Sequence, residues 1–192
     1  MDQQYLLSKD NIVLLSVNVR GEYFEKIFSK LEFLTAYSYI HKKIIEIGMP
    51  FLSVSFPDTV PDGSIGSLFI QEKIDSILLR DTANLNFEAT FKKDFVALVA
   101  ALDSYDIFKN QNRDLFDYLK RSKRKVVYIT GFMTEFNIVA ITLKIFNRGY
   151  IPVVVSDGVS SSRERMHFEA LEILSNFSYI LDSRDLIQEW GS

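Results

Sequence analysis

Thr134, Glu135 and Asn137 follow a glycine that interrupts an apolar run, and their types and positions are the most suited to chemistry in this chain. Residues 126–129 are β-branched or aromatic, Gly131 breaks the run, and a helical pattern opens at Thr134. Residues that follow a parallel strand lie at the sheet edge where ligands bind in α/β folds. A carboxylate there can exchange protons, whereas an amide cannot do so at neutral pH. We therefore expect the functional site near residues 134–137.

Asn18 ends another apolar run, residues 11–19. Its amide neither takes nor gives a proton at neutral pH, so it cannot serve as a general acid or base. An asparagine at a strand end is also a common turn residue. The chain has no cysteine, which excludes disulfides, thiolate metal sites and a cysteine nucleophile. His41 and His167 lie far from any Asp-x-His pattern, so we predict no metal site and no cofactor, and assign both rings to helix packing or helix surfaces.

Apolar runs alternate with helical patterns along the chain, which predicts a three-layer α/β/α fold with a doubly wound, mainly parallel sheet of about six strands. We expect residues 126–130 to form a central strand and residues 1–192 to form one domain. The predicted strands are 11–19, 50–56, 95–102, 126–130, 151–156 and 179–181. Helices are predicted over 22–47, 68–80 and 112–124 and after Ser160. A proline- and glycine-rich loop is predicted over 57–67.

Composition excludes several function classes. Apolar residues make up 47% and charged residues 24% of 192 residues, with a net charge of −3, which is ordinary for a globular protein. The one basic run, residues 120–125, ends a predicted helix where cations suit the helix dipole, so we predict no nucleic-acid binding. No run approaches the ~18 apolar residues of a membrane helix, and the first residues are too polar for a secretory signal. A cytoplasmic protein without membrane contact is expected.

Two stretches resemble a known family. The run G-F-M-T-E-F-N-I-V at 131–139 and the run G-Y-I-P-V-V-V-S-D-G-V-S-S-S from 149 are similar to the isochorismatase-like hydrolases, which include nicotinamidases and related amidases. The resemblance implies a nucleophilic cysteine three residues after the motif threonine, where the helix dipole lowers its pKa. Asn137 occupies that position here.

The resemblance also implies an aspartate and a lysine in the catalytic site. The aspartate position is Asn18, and the position of a family glutamine is Arg20. Counting back from Phe108 places the lysine position at Leu102. An alternative alignment uses Lys93, but it turns the apolar run that follows into an inserted loop. The triad positions therefore hold Asn18, Leu102 and Asn137.

Two further features follow from the resemblance. It implies a non-proline cis peptide between Met133 and Thr134, which helps to aim backbone N–H groups into the pocket. The residues expected to line that pocket are Asn18, Tyr23, Phe108, Met133, Thr134, Phe136 and Asn137.

Three functional hypotheses remain open at this point. We favour a non-catalytic member, a pseudoenzyme that binds a partner subunit or a small aromatic ligand. The second is a hydrolase of a small amide or vinyl ether with a relocated acid, for which the candidates are Glu22, Asp103, Asp106 and Glu135. The third is a bare structural subunit, because 16 Phe and nine Tyr are enough to build an interface. Either a homo-oligomer, dimer or larger, or a heteromer with an active paralogue is expected.

Overall fold

The computed structural model describes residues 6, 8–56, 96–101 and 113–190. Within them lies one six-stranded sheet in the order β3-β2-β1-β4-β5-β6, and every strand pairs with its neighbours in parallel. The strands are β1 (Ile12–Val17), β2 (Phe51–Ser55), β3 (Val96–Ala101), β4 (Val126–Phe132), β5 (Ile151–Ser160) and β6 (Tyr179–Leu181). The parallel α/β prediction is confirmed, and β4 lies in the interior of the sheet between β1 and β5 as expected.

Six helices and one π turn connect the described strands. They are α1 (Gly21–Phe24), α2 (Lys30–Ile47), α3 (Arg113–Ser122), the π turn (Thr134–Ile138), α4 (Val139–Asn147), α5 (Glu164–Leu174) and α6 (Ser183–Trp190). The prediction of a single helix over 22–47 was wrong, because the backbone is not helical between α1 and α2. The backbone N–H of Phe28 donates to Ser161 O at 3.0 Å, and this tertiary bond replaces a bond along the helix. Gly48 ends α2 in the left-handed conformation with φ 67°, as its position predicted.

Alternate residues of each strand face opposite layers, which produces a core on each side of the sheet. Val13, Leu15 and Val17 belong to the core that contacts α3, α4 and α5. Ile12 and Leu14 point the other way, into the core formed with α2 and α6. Both faces of β1 are buried, so the strand is apolar apart from Ser16, whose hydroxyl is hydrogen-bonded to the Tyr37 hydroxyl at 2.9 Å.

Several predictions fall outside the described residues. These are the loop 57–67, the helix 68–80, Lys93, Leu102, Asp103, Asp106 and Phe108, together with the side chain of Glu22. One domain over residues 1–192 stays a prediction. Among the described helices none is long and apolar enough to cross a membrane. No group of three or more histidine, aspartate or glutamate side chains in the described ranges is arranged to hold a metal ion.

Candidate functional site

The candidate site lies where the sheet order reverses direction. From β1 the chain continues outward to β2 and β3, whereas from β4 it continues the other way to β5 and β6. The carboxyl ends of β1 and β4 therefore flank the crevice that binds ligands in doubly wound sheets. Val17 pairs with Gly131 at this end, so the residues after both strands enter the same region. We call it the β1–β4 crevice.

Gly131 allows the two strands to approach closely at the crevice. Its φ is 122°, a conformation that side chains rarely adopt. A Cβ atom built on it would lie 2.0 Å from the carbonyl oxygen of Val17. Since no side chain fits in that space, glycine is required here for steric reasons as well as for its backbone conformation.

Asn18 is the first residue after β1 and is only 1% exposed. Its φ of 51° is in the left-handed region, which asparagine tolerates better than most residues. Its side-chain Oδ1 accepts a hydrogen bond of 2.7 Å from the backbone N–H of Phe56, just after β2. The Nδ2 group is buried and has no hydrogen-bond partner among the described residues. The oxygen of the amide thus links the ends of β1 and β2. Its Nδ2 group is a hydrogen-bond donor without a partner in the described structure.

Asn137 lies in the π turn and is also 1% exposed. Its Nδ2 donates to the carbonyl oxygen of Phe132 at 3.1 Å, and its Oδ1 is buried without a partner in the described structure. The backbone N–H of Ile138 reaches back to Met133 O at 3.1 Å, which is the i→i+5 bond of a π turn. The helix predicted from Thr134 therefore begins with a wider turn that directs Asn137 inward.

A non-proline cis peptide is present, but it joins Phe132 to Met133 and not Met133 to Thr134. The predicted position was wrong by one residue. The Met133 carbonyl accepts the first bonds of the π turn, from the backbone N–H groups of Phe136 and Ile138. The peptide after Met133 thus already belongs to the turn, and helical turns are built from trans peptides.

Thr134 contacts His167, a relationship that sequence reasoning missed. Thr134 Oγ1 and His167 Nδ1 lie 2.9 Å apart in a buried hydrogen bond. Burial lowers the pKa of His167 to about 4, so its ring is neutral at neutral pH. The assignment of His167 to packing was incomplete, because the ring also has a polar partner. The sequence contained one indication of this contact: His167 follows β5, which neighbours β4 in the sheet.

Glu135 is the one candidate acid whose side chain the structure describes. It is partly buried, and this burial raises the pKa of the Glu135 carboxyl above its usual value. A hydrogen bond with Ser161 and the positive charge of Arg163 oppose that shift. Oε2 has no hydrogen-bond partner among the described residues. The carboxyl is therefore held close to the crevice, in surroundings that favour its protonated form.

A cluster of mainly aromatic side chains lies beside the ends of β1 and β4. Tyr23 and Met133 are buried in one cluster, against which the half-buried Phe136 packs. The guanidinium carbon of Arg20 lies 5.2 Å from the Tyr23 ring centroid, a cation–π contact. Of the predicted pocket residues, the structure places Asn18, Tyr23, Met133, Thr134, Phe136 and Asn137 around the ends of β1 and β4. Phe108 lies outside the described residues.

Several buried polar atoms in this part of the described structure have no hydrogen-bond partner. Asn18 Nδ2, Asn137 Oδ1, Thr130 Oγ1 and Glu135 Oε2 are all buried and lack partners in the described structure. A buried polar atom left unpaired costs about 1–3 kcal/mol, so each of these atoms favours a partner beyond the described residues, such as water or a ligand. They supply at least one donor and one acceptor from uncharged amides. A nucleophilic thiol is not among them, because the chain has no cysteine.

The sequence profile of the isochorismatase domain matches residues 78–185, which is more than half of the chain. The chain belongs to the isochorismatase family. This confirms the family that the runs at 131–139 and 149–162 predicted. A search of curated protein sequences finds no match for this isochorismatase-family chain.

Solved structures share the fold at low sequence identity. A cysteine hydrolase from Pseudomonas syringae pv. phaseolicola is 14% identical, covering 97% of this chain and 95% of that chain with a TM-score of 0.73. The YcaC gene product of Escherichia coli, an octameric hydrolase of unknown specificity, is 15% identical over 98% and 83%, with a TM-score of 0.71. The MAR1 ribonuclease of Caenorhabditis elegans is 15% identical over 96% and 84%, with a TM-score of 0.67. These likenesses establish the isochorismatase fold and nothing further about activity.

Proposed function

We propose that this chain is a non-catalytic member of the isochorismatase family that binds a small ligand in the β1–β4 crevice and associates with other subunits. The observation that carries the proposal is that Asn18 and Asn137 are both buried amides, each bonded to the backbone through one end. These are the positions where the resemblance implies an acid and a nucleophile. Here both side chains stabilise the ends of strands.

The chemistry of these amides supports the absence of hydrolysis. A carboxamide does not exchange protons at neutral pH and is not a useful nucleophile. Leu102 at the proposed lysine position would remove the third group. Removing catalytic groups that act together commonly costs about a million-fold in turnover. Backbone N–H groups near Met133 would then stabilise a charge that no residue generates.

The unpaired amide atoms support ligand binding. Asn18 Nδ2 offers hydrogen-bond donors, and Asn137 Oδ1 offers an acceptor. The adjacent cluster with Tyr23 and Phe136 supplies an apolar and aromatic wall. A small aromatic ligand whose polar edge carries both a donor and an acceptor satisfies these atoms and packs on that wall.

Association with other subunits is the second part of the proposal. The Escherichia coli relative is octameric, which supports a homo-oligomer of this chain, a dimer or larger. A heteromer with an active paralogue is the alternative. Met166, Phe168 and Ile173 on α5 are 36%, 57% and 54% exposed. Large apolar side chains on one helix are typical of an interface that is covered in the assembly.

One observation favours a second function, a hydrolase with a relocated acid. Glu135 is partly buried and burial raises the pKa of its carboxyl, as general acids require. In that case Glu135 would donate a proton to the leaving group of a small amide or vinyl ether. Asp103, Asp106 and Glu22 remain further candidates from the sequence.

Measurements of hydrolysis and of ligand retention distinguish the non-catalytic binding protein from the hydrolase. Purified protein is assayed on nicotinamide, related amides and isochorismate, beside the variants Asn18→Ala, Glu22→Ala and Glu135→Gln. We expect no turnover above background for any of them, and native mass spectrometry should show a small molecule retained by wild type and lost from Asn18→Ala. Glu169→Gln is the matched control, because Glu169 is exposed and pairs only with Arg165 on the same helix. Wild-type turnover that Glu135→Gln abolishes and Glu169→Gln preserves would establish the hydrolase.

A further inference from the structure

A groove crosses the carboxyl ends of β5 and β6, away from the β1–β4 crevice. It consists of two adjoining depressions of about 920 Å³ and 300 Å³ that share Phe28, Glu32, Asp157 and Asp182. Residues from the start of α2 form one wall, and residues from α5 and the start of α6 form the others. We call this feature the α2–α5 groove.

Large apolar side chains are exposed along the groove. Leu31, Tyr39 and Phe168 are 80%, 57% and 57% exposed, and Phe28 at the junction of the two depressions is 39% exposed. A contiguous apolar patch of this kind is unfavourable in water and marks an interaction surface. An occupant of the groove therefore needs apolar surface as well as charge, and the methylene stems of lysine and arginine side chains provide both.

The net charge of the groove determines the sign of the charge that its occupant must carry. Four carboxylates line it, those of Glu32, Asp157, Glu164 and Asp182. Its two cations are already paired: Lys30 Nζ lies 2.8 Å from Glu25 Oε2, and Arg184 Nε lies 2.8 Å from Asp182 Oδ1. Asp157 accepts hydrogen bonds from the backbone and hydroxyl of Ser183. In the described structure, Glu32, Asp157 and Glu164 have no ion-pair partner, so the groove is negatively charged.

A surface of opposite charge lies at the other end of the same molecule. Residues 120–125 contain five cations in six residues between α3 and β4, and Lys120, Arg121 and Lys123 are exposed. Arg124 is held in place by a 2.6 Å bond to Ile12 O. Lys125 lies over Tyr150, at 5.5 Å from the ring centroid. The segment is therefore anchored at its end and presents free cations beside an aromatic ring.

The two surfaces cannot meet within one molecule. The basic segment precedes β4, whereas the groove lies beyond the carboxyl end of β5, which is parallel to β4. A seven-residue strand spans roughly 23 Å, so the surfaces are separated by the height of the sheet. A second copy, displaced along the strand direction, can bring its basic segment to the groove.

We propose that the α2–α5 groove of one copy binds the basic segment 120–125 of a second copy, head to tail. The proposal rests on the association proposed above and identifies the two surfaces that form it. Such a contact is heterologous, since each copy contributes a different surface, and a pair of copies retains one unused segment on one copy and one unused groove on the other. Assembly therefore continues beyond the dimer until a ring closes. Because the attraction is electrostatic, salt weakens it.

Charge reversal tests both surfaces. The groove variant carries Glu32→Lys and Glu164→Lys, and the segment variant carries Lys120→Glu and Lys123→Glu. Sedimentation velocity at a concentration where wild type associates should show each variant alone as a monomer. An equal mixture should associate again, because the unchanged groove of the segment variant attracts the unchanged segment of the groove variant, and the two reversed surfaces attract each other. Lys42→Glu is a matched control on an exposed face of α2 away from both sites, and it should associate as wild type does.

The possible failures are distinguishable. A segment variant that associates like wild type overturns the head-to-tail contact and leaves the association itself intact. A mixture that stays monomeric while both variants show wild-type circular dichroism also overturns it. Wild type that is monomeric at every concentration removes both this contact and the association. If charge reversal prevents folding, Lys120→Gln with Lys123→Gln serves in its place, with a several-fold weaker association expected. Hydrolytic turnover by wild type would reject the non-catalytic proposal without affecting this one.

Discussion

Thr134 Oγ1 and His167 Nδ1 share a 2.9 Å hydrogen bond in the core, and this bond joins the turn after β4 to α5. The same imidazole contacts Phe28, whose ring centroid lies 5.4 Å from it. One neutral side chain therefore supports both the β1–β4 crevice and the α2–α5 groove. A change at His167 should affect both regions.

The first prediction concerns this bond. Thr134→Val and His167→Phe should each lower the free energy of unfolding by about 1–3 kcal/mol, because each leaves a buried polar partner unpaired. The double variant should lose about 1 kcal/mol less than the sum of the two, since the partners are in contact. Urea unfolding of all four proteins measures this coupling. Thr35→Val is the control, because the Thr35 hydroxyl donates to Leu31 O on an exposed face of α2. Strictly additive losses would mean that the bond contributes nothing.

The second prediction concerns the width of the crevice. Gly131→Ala should lower the free energy of unfolding by more than about 3 kcal/mol, because the new methyl group would overlap the Val17 carbonyl. Gly149→Ala is the matched control. Gly149 also has a positive φ, 79°, but nothing lies within 4 Å of the position that an alanine methyl group would occupy there, so only about 1–2 kcal/mol of backbone strain is expected. Equal losses in denaturant unfolding would show that steric overlap at Gly131 is unimportant.

The third prediction concerns acid stability. Burial lowers the pKa of His41 from 6.5 to about 3, so the unfolded chain binds more protons than the folded chain between those pH values. Stability conferred by the neutral ring is therefore lost as the pH falls through this window. On going from about pH 7 to about pH 4 the loss from this group is about 3 kcal/mol.

His41→Phe isolates that contribution. The ring contacts Tyr37 and Phe51 at centroid distances of 4.1 Å and 4.5 Å, so phenylalanine suits the site. The difference in unfolding free energy between wild type and His41→Phe should shift in favour of the variant as the solution is acidified. Chemical unfolding at a series of pH values measures that difference. A difference that is independent of pH would show that His41 binds its proton equally well in the folded and unfolded protein.

The fourth prediction concerns reversion of the triad positions. Asn137→Cys alone should not hydrolyse nicotinamide, because Asn18 supplies no carboxylate to accept the thiol proton and Leu102 supplies no ammonium. The triple variant Asn18→Asp, Leu102→Lys and Asn137→Cys should gain some turnover if the crevice is intact. Product formation is measured beside thiol titration, which confirms that the cysteine is present and reduced. Turnover by the single variant would show that another residue activates the thiol.

Strand positions were predictable because they depend on local patterns. The run at 179–181 and the apolar stretch before Gly131 each contain enough β-branched and aromatic residues to identify a strand without tertiary information. The break between α1 and α2 was not predictable, because it depends on a bond from Phe28 to Ser161 on a distant segment. Likewise the family motif located Asn18 and Asn137, whereas no local pattern shows which end of each amide the backbone uses. Tertiary hydrogen bonds determine both where the helix breaks and which end of each amide is paired.

The requirement for glycine at 131 shows that the shape of the crevice and the polar groups inside it depend on different residues. The crevice keeps its shape because β1 and β4 touch at a residue that has no side chain and therefore takes no part in any reaction. Under the function proposed above, residues 18 and 137 determine which polar groups the crevice presents, whereas Gly131 determines how closely its walls approach. If the proposed function holds, a lineage of such proteins can exchange reactivity for recognition by point mutation, while selection on folding alone preserves the shape of the crevice.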